Sequence, residues 1–309
     1  MKKIYRATLK KINLSIVNVN SLTILICLLF TSYLWVFPTM AVSSENEVPE
    51  VIITPKIPHV GDTVVVKIAK DENEKSTPKL YFEETKYPVF ELSTNWYRSF
   101  IPLSANSKPG KYPIEILYKG KIRKIELSVN DTKYLVETLT LPKSVAGLRA
   151  SKIERELVNK ALSIASEKKL WTGKFILPNS HKRSTPYGVK RKINGTFDPD
   201  YFHKGLDFAA PLGSNIIAPE NSKVILAGQE SKGFVVNGNC VFLDHGHGVI
   251  TGYLHLSKLL VKDGDFVKKG QIIGKVGSSG IASGPHLHWG LYIFGKTVDP
   301  LNWLNTSIE

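Results

Sequence analysis

Short runs of alternating apolar and polar residues, separated by turn-forming residues, begin near residue 49. Val64, Val66 and Ile68 recur with a period of two, and Pro109-Gly110 marks one of the turns between such runs. Side chains two residues apart share one face of a β-strand. The pattern therefore predicts an all-β module over residues 49–130, and an immunoglobulin-like sandwich is the expected architecture.

Helical spacing replaces this alternation over residues 131–170, which are predicted to form a helical linker. Ser151-Lys-Ile-Glu154 has the pattern of a capping box, and the apolar stripe would consist of Ile153, Leu157, Ala161 and Ile164. We expect this helix to dock on a neighbouring domain. An alternative hypothesis is that it shields a catalytic groove until a partner moves it.

The N-terminus has the features of a targeting segment. Five basic residues precede residue 12, no charged residue occurs from Ile12 to Ser44, and small residues permit cleavage after Ala41. We expect residues 1–41 to be a signal peptide, with a retained membrane anchor as the alternative. Both interpretations place the remaining chain in the cell envelope, periplasmic or extracellular, with membrane contact only through this segment.

Charge and cysteine content narrow the function classes. The chain carries a net charge of +14, and residues 42–309 contain 36 basic against 27 acidic side chains, a net charge of +9. A basic surface favours anionic polymers, but no nucleic-acid-binding motif is present. Cys27 and Cys240 are the only cysteines, which argues against a thiolate metal site.

Histidines and one aspartate form the candidate chemistry of the C-terminal part. His286 and His288 are two apart in a strand-like run, so both imidazoles would share one face. His203 and Asp207 precede them, and His255 lies between. Two imidazoles and one carboxylate make the ligand set of a catalytic zinc site with an open fourth position. Spacing alone leaves open which of these histidines are ligands.

The same residues occur in an ordered set of motifs over about residues 171–304. These are His203-Lys-Gly-Leu-Asp-Phe-Ala-Ala-Pro-Leu-Gly, Tyr253-Leu-His-Leu, Gly264-Asp-Phe-Val-Lys-Lys-Gly-Gln-Ile-Ile-Gly, Gly284-Pro-His-Leu-His-Trp-Gly and Val298-Asp-Pro. The set resembles the lysostaphin-type zinc metalloendopeptidases that act on bacterial peptidoglycan. The resemblance implies an antiparallel β catalytic domain over residues 171–309.

Position by position, the resemblance implies that His203, Asp207 and His288 bind one zinc ion per chain and that His255 and His286 are catalytic. The implied function is zinc-dependent hydrolysis of amide bonds in peptidoglycan stem or cross-bridge peptides, with the direct cross-link as the preferred bond. The alternative is a non-catalytic envelope regulator, whose protein partner would be a cell-wall amidase that it activates.

Other motifs carry competing interpretations. His245-Gly-His247 is a second His-x-His pair, but the glycines around it predict a hairpin turn. The glycine-rich hairpin from Gly264 is also typical of lipoyl and biotinyl carrier domains, although no lysine lies in the context that carriers use. Tyr253 would share a strand face with His255 and could donate to a substrate carbonyl. It could equally be a half-buried aromatic residue.

Overall fold

The computed structural model of the chain describes residues 49–92, 95–140 and 147–308. The predicted targeting segment over residues 1–41 lies outside the described residues. Strands dominate the secondary structure, so the prediction of a mainly β protein is confirmed. In the part of the chain that the structure describes, no helix is both long enough and apolar enough to cross a membrane.

Residues 51–129 form two antiparallel sheets, each of four strands within the described residues. The first sheet has the order β1 (Val51–Thr54), β2 (Thr63–Ala69), β6 (Trp96–Pro102), β5 (Phe90–Glu91). The second has the order β4 (Thr85–Tyr87), β3 (Lys79–Phe82), β7 (Gly110–Tyr118), β8 (Lys121–Val129). Both sheets contribute to one core, in which Val64, Val66 and Ile68 are completely buried, as the alternation predicts.

The outer face of the first sheet is also buried. Val65 on β2 and Phe100 on β6 point away from the core between the two sheets and join the core of the C-terminal region. The inner strands of this sheet are therefore apolar on both faces, which explains why β2 reads Thr-Val-Val-Val rather than a strict alternation.

Most of the C-terminal region belongs to one large, mainly antiparallel sheet. Its main path is β10 (Arg183–Thr185), β13 (Leu206–Phe208), β20 (Leu287–Ile293), β17 (Val249–Leu259), β16 (Asn239–Asp244), β15 (Ser222–Gly228), β18 (Phe266–Val267). Off this path, β14 (Asn215–Ile217) pairs with β19 (Ile272–Val276), β19 pairs with β17, and β21 (Lys296–Val298) pairs with β20.

The two faces of this sheet have different roles, which β20 illustrates. Leu287, Trp289 and Leu291 point into the main core. Tyr292, on the opposite face, packs in a smaller apolar cluster that also includes Phe242. His288 alternates with the core residues, so it lies on the same face as Tyr292.

The linker contributes a strand and a helix to the C-terminal region. β9 (Val136–Leu139) pairs in parallel with β11 (Lys190–Ile193), which pairs with β12 (Thr196–Phe202). Helix α1 (Lys152–Leu162) packs on the smaller apolar cluster, and helix α2 (Leu301–Asn305) lies near the end of the chain.

Helix α1 buries a different face from the predicted one. Ser151 caps it as expected, accepting a hydrogen bond from the Glu154 backbone N–H at 3.0 Å. The predicted stripe is confirmed for Ala161, which is buried, and for Ile164, which packs on the smaller apolar cluster. It is wrong for Ile153 and Leu157, which are exposed, and Glu154 is buried instead. A carboxylate replaces an apolar contact here because the loop beneath it presents backbone donors.

Candidate metal centre

Three side chains converge at one end of the large sheet, on the face that carries His288. His203 directly follows β12, Asp207 lies in β13, and His288 lies in β20. Asp207 and His288 are paired directly across the antiparallel strands β13 and β20, so their side chains share a face. All three residues are buried.

The three facing atoms form a nearly equilateral triangle. His203 Nε2 lies 2.9 Å from Asp207 Oδ1 and 3.0 Å from His288 Nδ1, and His288 Nδ1 lies 2.9 Å from Asp207 Oδ1. Ligand atoms of a tetrahedral zinc ion with bonds of about 2.0–2.1 Å are about 3.3 Å apart. The triangle and its nitrogen and oxygen donors therefore fit one zinc ion, with the fourth coordination position available.

A glycine between the first two residues makes this convergence possible. A Cβ atom at Gly205 would lie 2.4 Å from the carbonyl oxygen of Trp289 and 2.9 Å from His288 Nε2. Both distances are shorter than ordinary contacts, so any larger residue at position 205 would displace β13 from β20.

Backbone carbonyl groups fix the tautomers of three histidines. Nδ1 of His203 lies 2.7 Å from the Pro186 carbonyl oxygen, and Nδ1 of His255 lies 2.9 Å from that of Ser279. His286 makes the same contact with the Gly284 carbonyl oxygen at 2.8 Å. Because a carbonyl oxygen only accepts, each Nδ1 carries the proton and each neutral ring keeps its lone pair on Nε2.

His255 and His286 lie beside this triangle. Their ring centroids are 4.8 Å apart, and the His255 ring is 6.2 Å from that of His288. All five residues predicted for the site are thus brought together. Their roles stay predictions, because the geometry by itself assigns none.

A local break in β17 turns His255 toward the site. His255 has φ of 66°, a conformation that non-glycine residues rarely adopt, and the pairing of β16 with β17 shifts register here. Regular alternation would have placed His255 on the same face as Tyr253. Tyr253 instead lies in the main core, completely buried, with its hydroxyl 3.0 Å from Thr251 Oγ1. The structure therefore places Tyr253 in the core rather than in the cleft.

The electrostatics of the site favour an ionised carboxylate at Asp207 and neutral rings at His255 and His288. Burial by itself raises the pKa of Asp207, but its close contacts with the imidazole nitrogens of His203 and His288 outweigh burial and hold this pKa well below its usual range. Burial lowers the pKa of His288, and burial together with the neighbouring His286 and His288 rings lowers that of His255 to about 3. An ionised carboxylate and neutral imidazoles are the forms that bind a metal ion.

Sequence reasoning missed an arginine behind the site. Arg191 on β11 donates from Nε to Glu137 Oε1 at 2.6 Å, and its Nη2 lies 3.8 Å from Asp207 Oδ2, the oxygen that faces away from the histidines. Burial lowers the pKa of Arg191, but the hydrogen bond to Glu137 and the nearby charges, including that of Asp207, together raise this pKa above its usual value, so the guanidinium stays charged. Arg191 occurs in the basic run Lys190-Arg-Lys, and no local signal distinguishes it from its neighbours.

The second His-x-His pair lies outside this cluster. His245 Nε2 is 2.8 Å from Thr251 Oγ1, and the ring packs on Phe175. His247 Nδ1 is 2.6 Å from Nη2 of Arg98, which comes from the first N-terminal sheet. Both rings are buried and take part in packing. The chain turns here between the antiparallel strands β16 and β17, as the glycines predicted.

Comparison with known proteins finds a family match within the C-terminal region. Residues 201–300 match the model of peptidase family M23. An uncharacterized metalloprotease of Haemophilus influenzae is 38% identical over 130 residues, which are 41% of this chain and 26% of that protein. The peptidoglycan DD-endopeptidase ShyA of Vibrio cholerae is 36% identical over 125 residues, 38% of this chain and 28% of that protein. The chain thus matches just over a quarter of the length of each of these two relatives.

A solved structure extends the likeness beyond this segment. The crystal structure of a candidate M23 peptidase from Pseudomonas aeruginosa covers 81% of this chain and 95% of its own, with 28% identity and a TM-score of 0.60. Its extent shows that the fold around the matched residues is shared as well. The resemblance drawn from the ordered motifs is confirmed: residues 201–300 are a peptidase family M23 domain.

Proposed function

We propose that the protein is a zinc-dependent endopeptidase that hydrolyses amide bonds in stem or cross-bridge peptides of peptidoglycan. One observation carries this proposal: His203 Nε2, Asp207 Oδ1 and His288 Nδ1 converge within 3.0 Å of one another beside two further histidines. The Vibrio cholerae relative is a peptidoglycan DD-endopeptidase by name, which supports the same substrate class.

His203, Asp207 and His288 would hold the metal ion. When bound, zinc lowers the pKa of a water molecule and polarises the scissile carbonyl group. The protein contributes a preorganised set of ligands, because the Pro186 carbonyl fixes the His203 ring and Arg191 faces the second oxygen of Asp207. Contacts of this kind orient metal ligands and tune their basicity.

His255 and His286 would carry the proton chemistry. In each ring the Nε2 lone pair can take a proton, while the Nδ1–H donates to the carbonyl oxygen of Ser279 or Gly284. A ring that has gained a proton can donate to the oxyanion or to the leaving amine. With two such rings, one can accept a proton from the attacking water while the other stabilises the negative charge that develops on the carbonyl oxygen.

The setting and accessory region are part of the proposal. We place the protein in the cell envelope, where peptidoglycan is its macromolecular partner, and the basic charge of residues 42–309 suits the carboxylates of stem peptides. The two sheets of residues 51–129 are proposed to be an immunoglobulin-like sandwich that positions the enzyme. The direct cross-link between stem peptides is the preferred bond.

Mass spectrometry of muropeptides released from purified sacculi tests this function. The protein with zinc should convert cross-linked dimers to monomers, and the masses of the products name the bond. A chelator and the variant His288→Ala should both abolish release. Intact dimers in the presence of protein that binds one zinc ion per chain would contradict the proposal and favour the envelope regulator.

A further inference from the structure

A buried carboxylate links the linker helix to the C-terminal region. Glu154 of α1 is 1% exposed. Its Oε2 accepts hydrogen bonds from the backbone N–H groups of Val235 and Val236 at 3.0 and 3.1 Å, and its Oε1 accepts one from Asn237 at 2.7 Å. Three successive backbone donors therefore surround one carboxylate.

This arrangement differs from the one that the capping-box sequence predicts. In a capping box the acidic side chain turns back to the backbone N–H of the N-cap residue, here Ser151. The Glu154 carboxylate instead leaves its own helix and meets three N–H groups of another segment. Burial of a carboxylate is unfavourable unless its oxygens are hydrogen-bonded, and consecutive backbone N–H groups are a common anion-binding arrangement. Its location therefore indicates a specific role for Glu154.

The loop that Glu154 holds, residues 235–239, is bonded directly to the backbone of His255. The Asn237 carbonyl oxygen accepts the His255 N–H at 3.0 Å. The Val236 carbonyl oxygen accepts the N–H of Ile281 at 2.9 Å. Val236 and Asn237 thus each donate to Glu154 through the backbone N–H. Through their carbonyl oxygens, Asn237 holds His255, and Val236 holds a second segment near the site that includes Ile281.

The second segment, residues 277–281, controls the ring of His255. Asn239 N–H donates to Ser279 Oγ at 2.9 Å, and the Ser279 carbonyl oxygen accepts from His255 Nδ1 at 2.9 Å. The two segments touch through backbone atoms, because a Cβ at Gly280 would lie 2.4 Å from the nitrogen of Gly238. A shift of one segment must therefore move the other.

We propose that Glu154 is a positioning residue for His255. Its carboxylate holds residues 235–239, and through them it fixes both the backbone of His255 and the carbonyl group that sets the tautomer of its ring. The inference rests on the proposed function in that His255 is taken to act in turnover. It makes helix α1 a working part of the catalytic apparatus rather than a removable shield.

Hydrogen exchange tests the structural half of the proposal without any substrate. Glu154→Gln keeps the shape of the side chain, but its amide nitrogen cannot accept a hydrogen bond, so at least one backbone N–H loses its partner. We expect amide exchange in residues 235–237 to become roughly ten-fold faster. Glu156→Gln, an exposed change on the same helix, should leave it unchanged. If amide exchange in residues 235–239 and 277–281 of Glu154→Gln equals that of the wild type, the proposal is overturned.

Kinetics test the functional half. For Glu154→Gln we expect kcat to fall roughly 10- to 100-fold, the effect of a small misplacement of a catalytic group, while KM and zinc content stay close to wild type. Glu154→Ala leaves space beside the three N–H groups, so added formate should restore part of its kcat. A purely structural role would not give this rescue.

Two results separate this inference from the proposed function. Wild-type kcat in the folded Glu154 variants, or a loss of kcat in Glu154→Ala that formate does not reverse, would overturn the role of Glu154 while leaving the endopeptidase intact. Absence of cleavage by the wild-type protein would refute the proposed function, and hydrogen exchange would still decide whether Glu154 holds the loop.

Discussion

Two histidine pairs with the same spacing occur in the C-terminal region, and their backbones differ. His286-Leu-His288 enters the extended strand β20, where alternate residues share a face. In His245-Gly-His247 the chain turns instead, with φ of 89° at Gly246 and 52° at His247. The first pair therefore points toward one cleft, whereas the rings of the second pair contact different elements.

The partners of the two pairs differ accordingly. His288 faces the ionised carboxylate of Asp207, in a cluster that fits a metal ion. His245 contacts a threonine hydroxyl, and His247 lies between the Arg98 guanidinium and the stacked ring of Phe90, 4.2 Å away. A His-x-His motif therefore indicates a metal site only where the backbone is extended and a carboxylate shares the face.

The largest effects are expected within the first pair. His288→Ala removes one of the three proposed ligands, so zinc content and turnover should both be lost. His286→Ala should keep zinc and lose roughly 10²- to 10⁴-fold in kcat, the usual contribution of an acid–base group. Zinc content by atomic absorption and muropeptide release check both variants. Wild-type turnover of His286→Ala would contradict its assigned role.

The sequence predicted the components of the candidate site because they lie in local motifs. The strand period places His286 and His288 on one face. The His203-to-Asp207 motif spans the connection from β12 into β13, which carries Asp207. The break at His255 has no local signal, since the residue is not glycine. Its positive φ follows from the register shift between β16 and β17.

Partners that tertiary pairing brings together were beyond the sequence pattern. Arg191 reaches Glu137 because β9 and β11 pair in parallel across more than fifty residues of chain. The buried face of α1 was missed for the same reason: periodicity favours Ile153 and Leu157, but the backbone donors of a distant loop select Glu154. The spacing of apolar residues predicts which strands and helices form. Which elements pack against one another can be read only from the folded structure.

Within the second pair, His247→Ala should affect stability rather than the metal. The change removes the acceptor 2.6 Å from Arg98 Nη2 and leaves a cavity beside Phe90. We expect the free energy of unfolding to fall by about 2–4 kcal/mol, because a buried charged donor loses a partner and packing is lost. Urea denaturation measures this change.

The control for this variant is an exposed histidine. His181→Ala should change the free energy of unfolding by no more than about 0.5 kcal/mol. Both variants should keep wild-type zinc content. If His247→Ala loses zinc under conditions where it is still folded, the second pair also affects the metal, and the distinction between the two pairs is wrong.

The second pair should also make stability depend on pH. Burial, followed by the charge of Arg98, lowers the pKa of His247 to about 4, and burial lowers that of His245 to about 3. Unfolded histidine has a pKa of about 6.5, so below this pH the unfolded state binds more protons than the folded state. The free energy of unfolding should therefore fall as pH decreases from about 6.5 to 4.

The contribution of His247 to this slope is measurable by substitution. His247→Gln keeps a polar side chain that does not titrate, and it should remove about 2–3 kcal/mol of the stability difference between pH 7 and pH 4. Urea denaturation at intervals across this range gives the comparison. An identical pH slope in the variant and the wild type would show that His247 titrates normally when folded.

The smallest effect concerns the support behind the first pair. Arg191→Lys keeps the positive charge, but one ammonium group cannot reproduce a guanidinium that donates to Glu137 while facing Asp207 Oδ2. We expect zinc affinity to fall about ten-fold, the lower end of the effect of residues that orient metal ligands. Competition with a chromophoric chelator measures the affinity. Lys192→Arg, an exposed change at the next position, should leave the affinity unchanged. Equal affinities for all three proteins would mean that the Asp207 carboxylate is held by His203 and His288 alone.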